Sequence, residues 1–449
     1  MASKIYLLPQ RPITTIKIIM TMVSTSAVAR YPIHPIGVMF ANVVSTPATL
    51  SPPVTTLFHN RAITNPKAAA NEVAIVLRTS AIEILRSSGM LPLGATGIFD
   101  KSALLYPEVS FARREEPLAS PDGVRPVNVR EDKALERIVV TPRDIDAALP
   151  IVREVASQTP TVPFPGSDEG VWLKLENLQR LGAFKIRGVW NRLSHLTDDE
   201  RRRGVSTISS GNHGLAVAWA ARRLGIPCTV RVPQHAVGRK VEAIRAQGAD
   251  VSPISRRDLI DAHEKETWRS WPSVFLHPFA HPATIAGQGT IGREIVEDLA
   301  DVKTVLVPVG GGGLAAGIAT AVKGLRPRAQ VFGVQAEGAA SLPVALQKHQ
   351  GHRIDRPRTI ADGIGIGIML PAMAEILGRV LDRALLVSDD KIRTAMRRLV
   401  FDAKVVAEPA GAAAFAAWTR YRHSLRSPVV AVVSGGNVDP ALFAHATEG

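Results

Sequence analysis

The chain reads as an α/β protein with parallel-rich sheets flanked by helices, preceded by an irregular N-terminal extension. Three observations predict this. From about Thr141 onward, short apolar strands alternate with helical stretches. The strands are rich in β-branched and apolar residues, as in Lys303–Val309, a pattern of strands covered on both faces by helices. Two strand-to-helix junctions, Ser209-Ser210-Gly211-Asn212-His213-Gly214 and Gly310-Gly311-Gly312-Gly313-Leu314, are turns that leave backbone N–H groups free at a helix start.

Residues 1–134 differ from the rest. No Asp or Glu precedes Glu72, while Lys4, Arg11, Lys17, Arg30, Arg61 and Lys67 do. Such a composition suits a transit peptide, but those are shorter and more clearly amphipathic. A poorly ordered extension, or a start codon placed too far upstream, is the expectation, with a cytoplasmic product. Segment 73–90 is apolar enough for one isolated helix. Segment 113–133, with Pro117, Pro121 and Pro126, reads as a linker.

The regular part begins at Thr141, which can cap a helix reaching Ala148, with Pro142 at its first position and Asp144 in its first turn. Strands are then predicted at Val171–Leu175, Gly204–Ser209, Cys228–Val232, Lys303–Val309, Gln330–Val334 and Pro428–Val433. Helices are predicted over Gly214–Leu224, over Gly238–Ala246 and from Leu314.

With 449 residues, 46% of them hydrophobic, the chain can bury a large core over two or three domains. Cys228 is the only cysteine, so an intramolecular disulfide and a cysteine-based zinc site are excluded. The formal charge of +14 invites a nucleic-acid reading. Its arginines are scattered among acidic residues, however, with no aromatic-interleaved basic stripe, so no nucleic-acid partner is expected. No apolar run approaches a membrane span, the early Ile18–Val23 included.

Each candidate motif also has an ordinary reading. Lys185, in Trp172-Leu-Lys-Leu-Glu-Asn-Leu-Gln-Arg-Leu-Gly-Ala-Phe-Lys185-Ile-Arg-Gly188, could be a surface lysine. The Ser209–Gly214 turn could simply cap a helix. The Gly310 loop could bind a dinucleotide, with Glu337 some way on; it is no Walker A loop, because no Gly-Lys-Ser/Thr follows. Ser434-Gly435-Gly436-Asn437 could be a strand-end turn. The conjunction of an amine, an asparagine-bearing polar turn, a glycine-rich anion cradle and a late Ser-Gly-Gly-Asn outweighs these separate readings.

In order and wording these motifs resemble the serine/threonine dehydratase family of pyridoxal 5'-phosphate (PLP) enzymes, the fold-type II or tryptophan-synthase-β-like group. The likeness runs from about Val140 to Asp439. It implies two catalytic domains with PLP between them: a large one over 135–203 and 283–449, and a small one over 204–282. Lys185 is implied as the Schiff-base lysine, with Phe184 beside it. Asn212 would bond the ring hydroxyl oxygen, Gly310–Gly313 and Leu314 would cradle the phosphate, and Ser434 would meet the pyridine nitrogen. The turn Ser209, Ser210, Gly211, Asn212 and His213 would grip the substrate carboxylate, His213 mainly through its backbone.

Leu181 and Ala183 depart from the usual wording in ways that touch pocket shape, and Ala280 and the Gly365-Ile-Gly-Ile stretch depart in ways that leave substrate identity open. The Ala286–Gly292 stretch is family-specific, and Asp362 and Glu408 read as supporting residues. Relatives that bind a divalent cation do so after the Val-Phe-Gly-Val strand; Gln335 and Ser341 stand there here, so no metal is expected. The implied activity is ammonia release from a β-hydroxy amino acid such as L-threonine or L-serine. Ser210, where racemases of the family place a second-face hydroxyl, keeps an amino-acid racemase open; Ser210 is thus a candidate catalytic residue beside Lys185. The alternative from another class is a dinucleotide-dependent oxidoreductase, and a catalytically dead binding homologue is disfavoured by Lys185 and Asn212. The likeness also implies a homo-oligomer, dimer or tetramer, without the C-terminal regulatory domain of biosynthetic members.

Overall fold

A computed structural model describes residues 124–126, 138–166, 170–234, 236 and 238–448, all within the compact unit Arg113–Gly449. Expectations for the rest of 1–134 lie outside the described residues.

In chain order the elements are β1 (Val124–Pro126), α1 (Pro142–Arg153), β2 (Thr161–Pro163), β3 (Val171–Leu175), α2 (Lys185–Ser194), α3 (Asp198–Arg203), β4 (Val205–Ile208), α4 (Asn212–Leu224) and β5 (Cys228–Pro233). Then come α5 (Arg239–Arg245), β6 (Asp250–Ile254), α6 (Arg256–Glu264), β7 (Val274–Phe275), α7 (Pro282–Asp298), β8 (Thr304–Pro308), α8 (Gly313–Leu325) and β9 (Gln330–Ala336). The chain closes with α9 (Ser341–Lys348), β10 (His352–Ile354), β11 (Ile368–Met369), α10 (Pro371–Val380), β12 (Arg383–Val387), α11 (Asp389–Phe401), α12 (Pro409–Tyr421), β13 (Val429–Val433) and α13 (Pro440–Thr447).

The larger sheet has the order β12-β9-β8-β13-β3-β2. It is parallel except where β2 runs against β3. A second, all-parallel sheet has the order β6-β5-β4-β7. Buried strands β8 and β13 explain the unbroken apolar runs read from the sequence. One face of the second sheet shares a core with helices earlier in the chain. Val152, Ile186, Val189, Trp190 and Leu193 pack with Val205, Val217 and Val274.

Two local expectations shift. Helix α1 has the predicted capping box: Thr141 N donates to Asp144 Oδ2 at 2.8 Å, and Asp144 N donates back to Thr141 Oγ1 at 3.3 Å. It runs on to Arg153, past Pro150, because Val152 is buried in that shared core and anchors the last turn. Segment 124–126, inside the stretch read as a linker, forms β1, paired antiparallel with β10. Pro126 is tolerated there because β1 is an edge strand.

Helix α7 carries Gly287, Gly289 and Gly292, which lower intrinsic helix propensity. Packing requires them. A Cβ on Gly287 would lie 2.7 Å from Arg187 O, and one on Gly292 would lie 2.7 Å from Ile318 O. The glycines let α7 press against α2 and α8 at backbone distance.

Beneath α2 lies a charge cluster closed to water. Arg187, Lys174, Glu176 and Glu294 are each at most 1% exposed. Arg187 holds Glu176 through Nε (2.9 Å) and Nη2 (2.7 Å), and Glu294 through Nη1 (2.6 Å) and Nη2 (2.9 Å). Lys174 Nζ adds Glu294 Oε2 at 2.9 Å and donates to Thr159 O at 2.6 Å. Burial alone would lower the Arg187 pKa; the two glutamates outweigh it and raise it. Elsewhere, exposed or part-exposed pairs join α5 and α6 to the β10 region: Lys240 to Asp362 at 2.6 Å and Arg353 to Glu264 at 2.7 Å. Among the described residues no helix is long and apolar enough to cross a membrane.

Removing one partner of a buried ion cluster strands the other charges. Arg187→Met is therefore expected to lower stability by about 3–5 kcal/mol, read as a lower urea midpoint at unchanged slope. Arg202→Ala, which breaks an exposed pair with Asp199, is expected to move the midpoint little.

Candidate active site

The motif loops leave the C-terminal ends of parallel strands, where open α/β sheets bind ligands. The chain after β3 passes through a turn at Leu181–Phe184 and enters α2 at Lys185. The loop after β13 is stitched to that turn: Phe184 N donates to Ser434 O at 3.2 Å, and Gly436 N to Gly182 O at 2.8 Å. Ala183 and Gly435 form an antiparallel bridge.

Lys185 is partly buried. Its Nζ donates to Pro278 O at 3.1 Å and lies 5.0 Å from the centroid of the Phe184 ring. Burial lowers the amine pKa to about 8, against the opposing pull of Glu408. About a tenth of the amine is then neutral at pH 7, far more than for an ordinary lysine. A lysine that can be neutral at working pH is a nucleophile and a base.

The two helices that follow the motif turns open on glycine, without side-chain caps. The N-cap of α4 is Gly211 and that of α8 is Gly312, and neither start has a side-chain cap bond. The capping alternative for Ser209–Gly214 is thus corrected: Ser209 Oγ instead accepts from Gly211 N inside the turn, at 3.2 Å. Asn212, His213 and Gly214 begin α4, while Ser209, Ser210 and Gly211 form its approach. Gly313 and Leu314 begin α8. Gly312 takes φ +95, a conformation that favours glycine. A Cβ on Gly311 would lie 2.2 Å from the Phe279 ring, and one on Gly310 3.1 Å from Gly363 O. Each opening offers unpaired N–H groups and a favourable dipole to an anion.

The segment after β7 joins these parts. Leu276 O accepts from His213 Nε2 at 3.2 Å, Pro278 O accepts from Lys185, and Phe279 packs on the glycine loop. His213 is buried, its Nδ1 has no partner, and its pKa is lowered to about 3. Desolvation is the main cause, followed by nearby Lys185. A neutral imidazole of such low basicity makes a poor general base.

Glu408 is the residue that sequence reasoning underrated. It directly precedes α12, yet its side chain does not cap that helix. It is 4% exposed, and its Oε1 accepts from Asn212 Nδ2 at 2.7 Å. Burial, then Asp362, pushes its carboxyl up to about 7, opposed by Lys240, Asn212 and Lys185. Asn437 closes the Ser-Gly-Gly-Asn motif, and its Nδ2 donates to Asn212 Oδ1 at 2.8 Å and to Leu181 O at 2.7 Å. The local signal for both was an acid before a helix-starting proline and an amide after two glycines; neither reveals a partner two hundred residues away.

Glu337, the acid that a dinucleotide reading needs, pairs on the surface with Arg420 at 2.5 Å. Gln335 is buried, its Oε1 accepting from Leu342 N at 2.7 Å and its Nε2 donating to Ser341 Oγ at 3.3 Å. Among the described residues no group of three or more His, Cys, Asp or Glu is placed to hold a metal ion.

The lowered pKa of Lys185 gives a pH prediction. Condensation of the apoprotein with an aldehyde needs the neutral amine, whose fraction rises with pH through the pKa. Labelling of Lys185 by PLP, trapped with borohydride and mapped by peptide, is expected to accelerate with pH and level off above about 8. A plateau only near 10.5 would show the amine to be unshifted.

A family model described as "Pyridoxal-phosphate dependent enzyme" matches residues 121–435. The chain is 42% identical to an L-threonine ammonia-lyase of Thermotoga maritima over 272 residues, 60% of this chain and 67% of that protein. It is 36% identical to L-threonine dehydratase catabolic TdcB of Staphylococcus aureus over 318 residues, 67% of this chain and 90% of that protein. The solved structure of maize serine racemase superposes with a TM-score of 0.62 at 30% identity, over 68% of this chain and 96% of that one. A desolvated lysine beside a glycine-opened helix start, on a fold matched over these lengths, leads to one conclusion: the chain belongs to the family of pyridoxal-phosphate-dependent enzymes, in its fold-type II group.

Proposed function

We propose that the protein is an ammonia-lyase that converts a β-hydroxy amino acid, L-threonine or L-serine, to a 2-oxo acid and ammonia. The observation that carries this reading is the partly buried Lys185 amine, with its pKa lowered to about 8, beside two helix N-termini without side-chain caps. One helix start suits a phosphate and the other a substrate carboxylate. Likeness to a threonine ammonia-lyase and a threonine dehydratase supports the substrate class.

The residues fit the cofactor. Lys185 and Phe184 would hold its aldehyde end, Asn212 its ring oxygen, Gly310–Gly313 and Leu314 its phosphate, and Ser434 its ring nitrogen. PLP, when bound, supplies an electron sink for the charge left at the substrate α-carbon. Ser209, Ser210, Gly211, Asn212 and His213 bind the carboxylate and orient the Cα–H bond. The Lys185 Nζ takes the α-proton, and the β-hydroxyl departs with a proton as water. The water returns in hydrolysis, which releases ammonia and the 2-oxo acid. Ser434, a hydroxyl rather than a carboxylate, does not enforce a charged ring nitrogen, which suits elimination better than transamination.

The same reading divides the enzyme into a small domain at 204–282 and a large one at 135–203 with 283–449, supported by the two separate sheets. It makes the protein a cytoplasmic homo-oligomer, dimer or tetramer, that works without a divalent cation.

Release of 2-oxo acid is expected from L-threonine or L-serine, and Lys185→Ala should reduce it by about 10²–10⁴-fold or more. A second reading, racemisation, rests on half-buried Ser210 and on the likeness to a serine racemase. Chiral analysis decides between them. Elimination is expected to dominate, with Ser210→Ala mainly raising KM. Interconversion of serine enantiomers faster than pyruvate release would overturn the lyase reading.

A further inference from the structure

The site contains a chain of side-chain amides that extends from Asn212 to a residue the reaction itself does not use. Asn437 Nδ2 donates to both Leu181 O and Asn212 Oδ1, and Asn212 Nδ2 donates to Glu408 Oε1. A backbone carbonyl can only accept. Leu181 O therefore forces Asn437 to present its nitrogen, and that nitrogen forces Asn212 to present its oxygen to Asn437. The direction of the chain is set at the Leu181 end and does not depend on whether Glu408 carries a proton. With Oδ1 accepting and one N–H given to Glu408, Asn212 keeps one N–H for a ligand.

Asn437 is also held sterically. It faces Gly182, which has φ +70, and a Cβ there would lie 2.4 Å from Asn437 Oδ1. Gly436 N donates to Gly182 O just before it. The turn that delivers Lys185 and the residue that orients Asn212 are thus one packed unit.

We propose that Asn437 is a positioning residue that fixes the amide of Asn212 with its nitrogen, not its oxygen, available to the cofactor's ring oxygen. The proposal rests on the reading that Asn212 faces that oxygen. A donor there stabilises the oxygen in its anionic form, which sets the pH at which the bound cofactor's absorbance titrates.

Asn437→Asp reverses the donor at that point. A carboxylate next to Leu181 O accepts from Asn212 instead of donating to it, which turns the Asn212 amide over and offers its oxygen to the ring. Gly182→Ala should act in the same direction by displacing Asn437. For both variants the thermal midpoint, the PLP dissociation constant of the apoprotein and the absorbance spectrum of the loaded protein from pH 6 to 10 are measured. The expected result is a roughly tenfold or greater rise in dissociation constant, together with a displaced absorbance titration, while Asn437→Ala gives a smaller change of the same sign. If Asn437→Asp is folded and binds PLP with wild-type affinity and an unmoved titration, the proposal is overturned. If it fails to fold, Gly182→Ala and Asn437→Ala decide by the same criteria. A wild-type protein that takes up no PLP on Lys185 would instead overturn the cofactor reading beneath it.

Discussion

Most of the active-site geometry hangs on one buried guanidinium. Arg187 stands two residues after Lys185 on the same helix and is gripped by Glu176 from the β3 side and Glu294 from α7. The cluster fixes the rotation and depth of α2, and with them the direction in which Lys185 leaves it. Sealing four charges from water is costly, and an apolar core of equal volume is often as stable or more so. What the ions add is direction: bidentate contacts allow one arrangement of three elements, where apolar packing tolerates several. The glycines of α7 belong to the same constraint, because they let the helix that carries Glu294 come within backbone distance of Arg187.

Around that anchor, the site is graded in charge by burial rather than by close ion pairs. Desolvation moves Lys185 down to about 8 and Glu408 up to about 7, so that each exchanges its proton close to neutral pH. It moves His213 far from protonation. The imidazole stays uncharged, and the two glycine-capped helix starts add a fixed positive potential from the backbone.

The chemistry-bearing motifs were readable because each is local. Lys185 and its flanks, the Ser209–Gly214 turn, the four glycines and the Ser434 loop each occupy a short window, and strands such as Val429–Val433 announce themselves by composition. The long contacts were not readable. Glu408 reaches Asn212 across 196 positions and Asn437 does so across 225, and no window contains both ends. Helix α12 was missed for a different reason. Its ten consecutive buried residues, Pro409–Trp418, leave no polar stripe to mark a period. In α7 the glycines argue against a helix until the neighbouring helices are in place. The capping reading of the Ser209 turn failed because the Ser209 hydroxyl closes on Gly211 N within the turn and does not reach the helix.

The pairs Lys240–Asp362 and Arg353–Glu264 sit at or near the surface, unlike the cluster around Arg187. Mobile ions weaken exposed pairs and barely reach sealed ones. Ionic strength therefore acts on this molecule selectively. Added salt weakens the exposed Lys240–Asp362 contact first, and leaves the aim of the lysine untouched. The hold between α5 and the Asp362 turn and the alignment of Lys185 therefore answer to different influences, the first to the medium and the second to sequence alone.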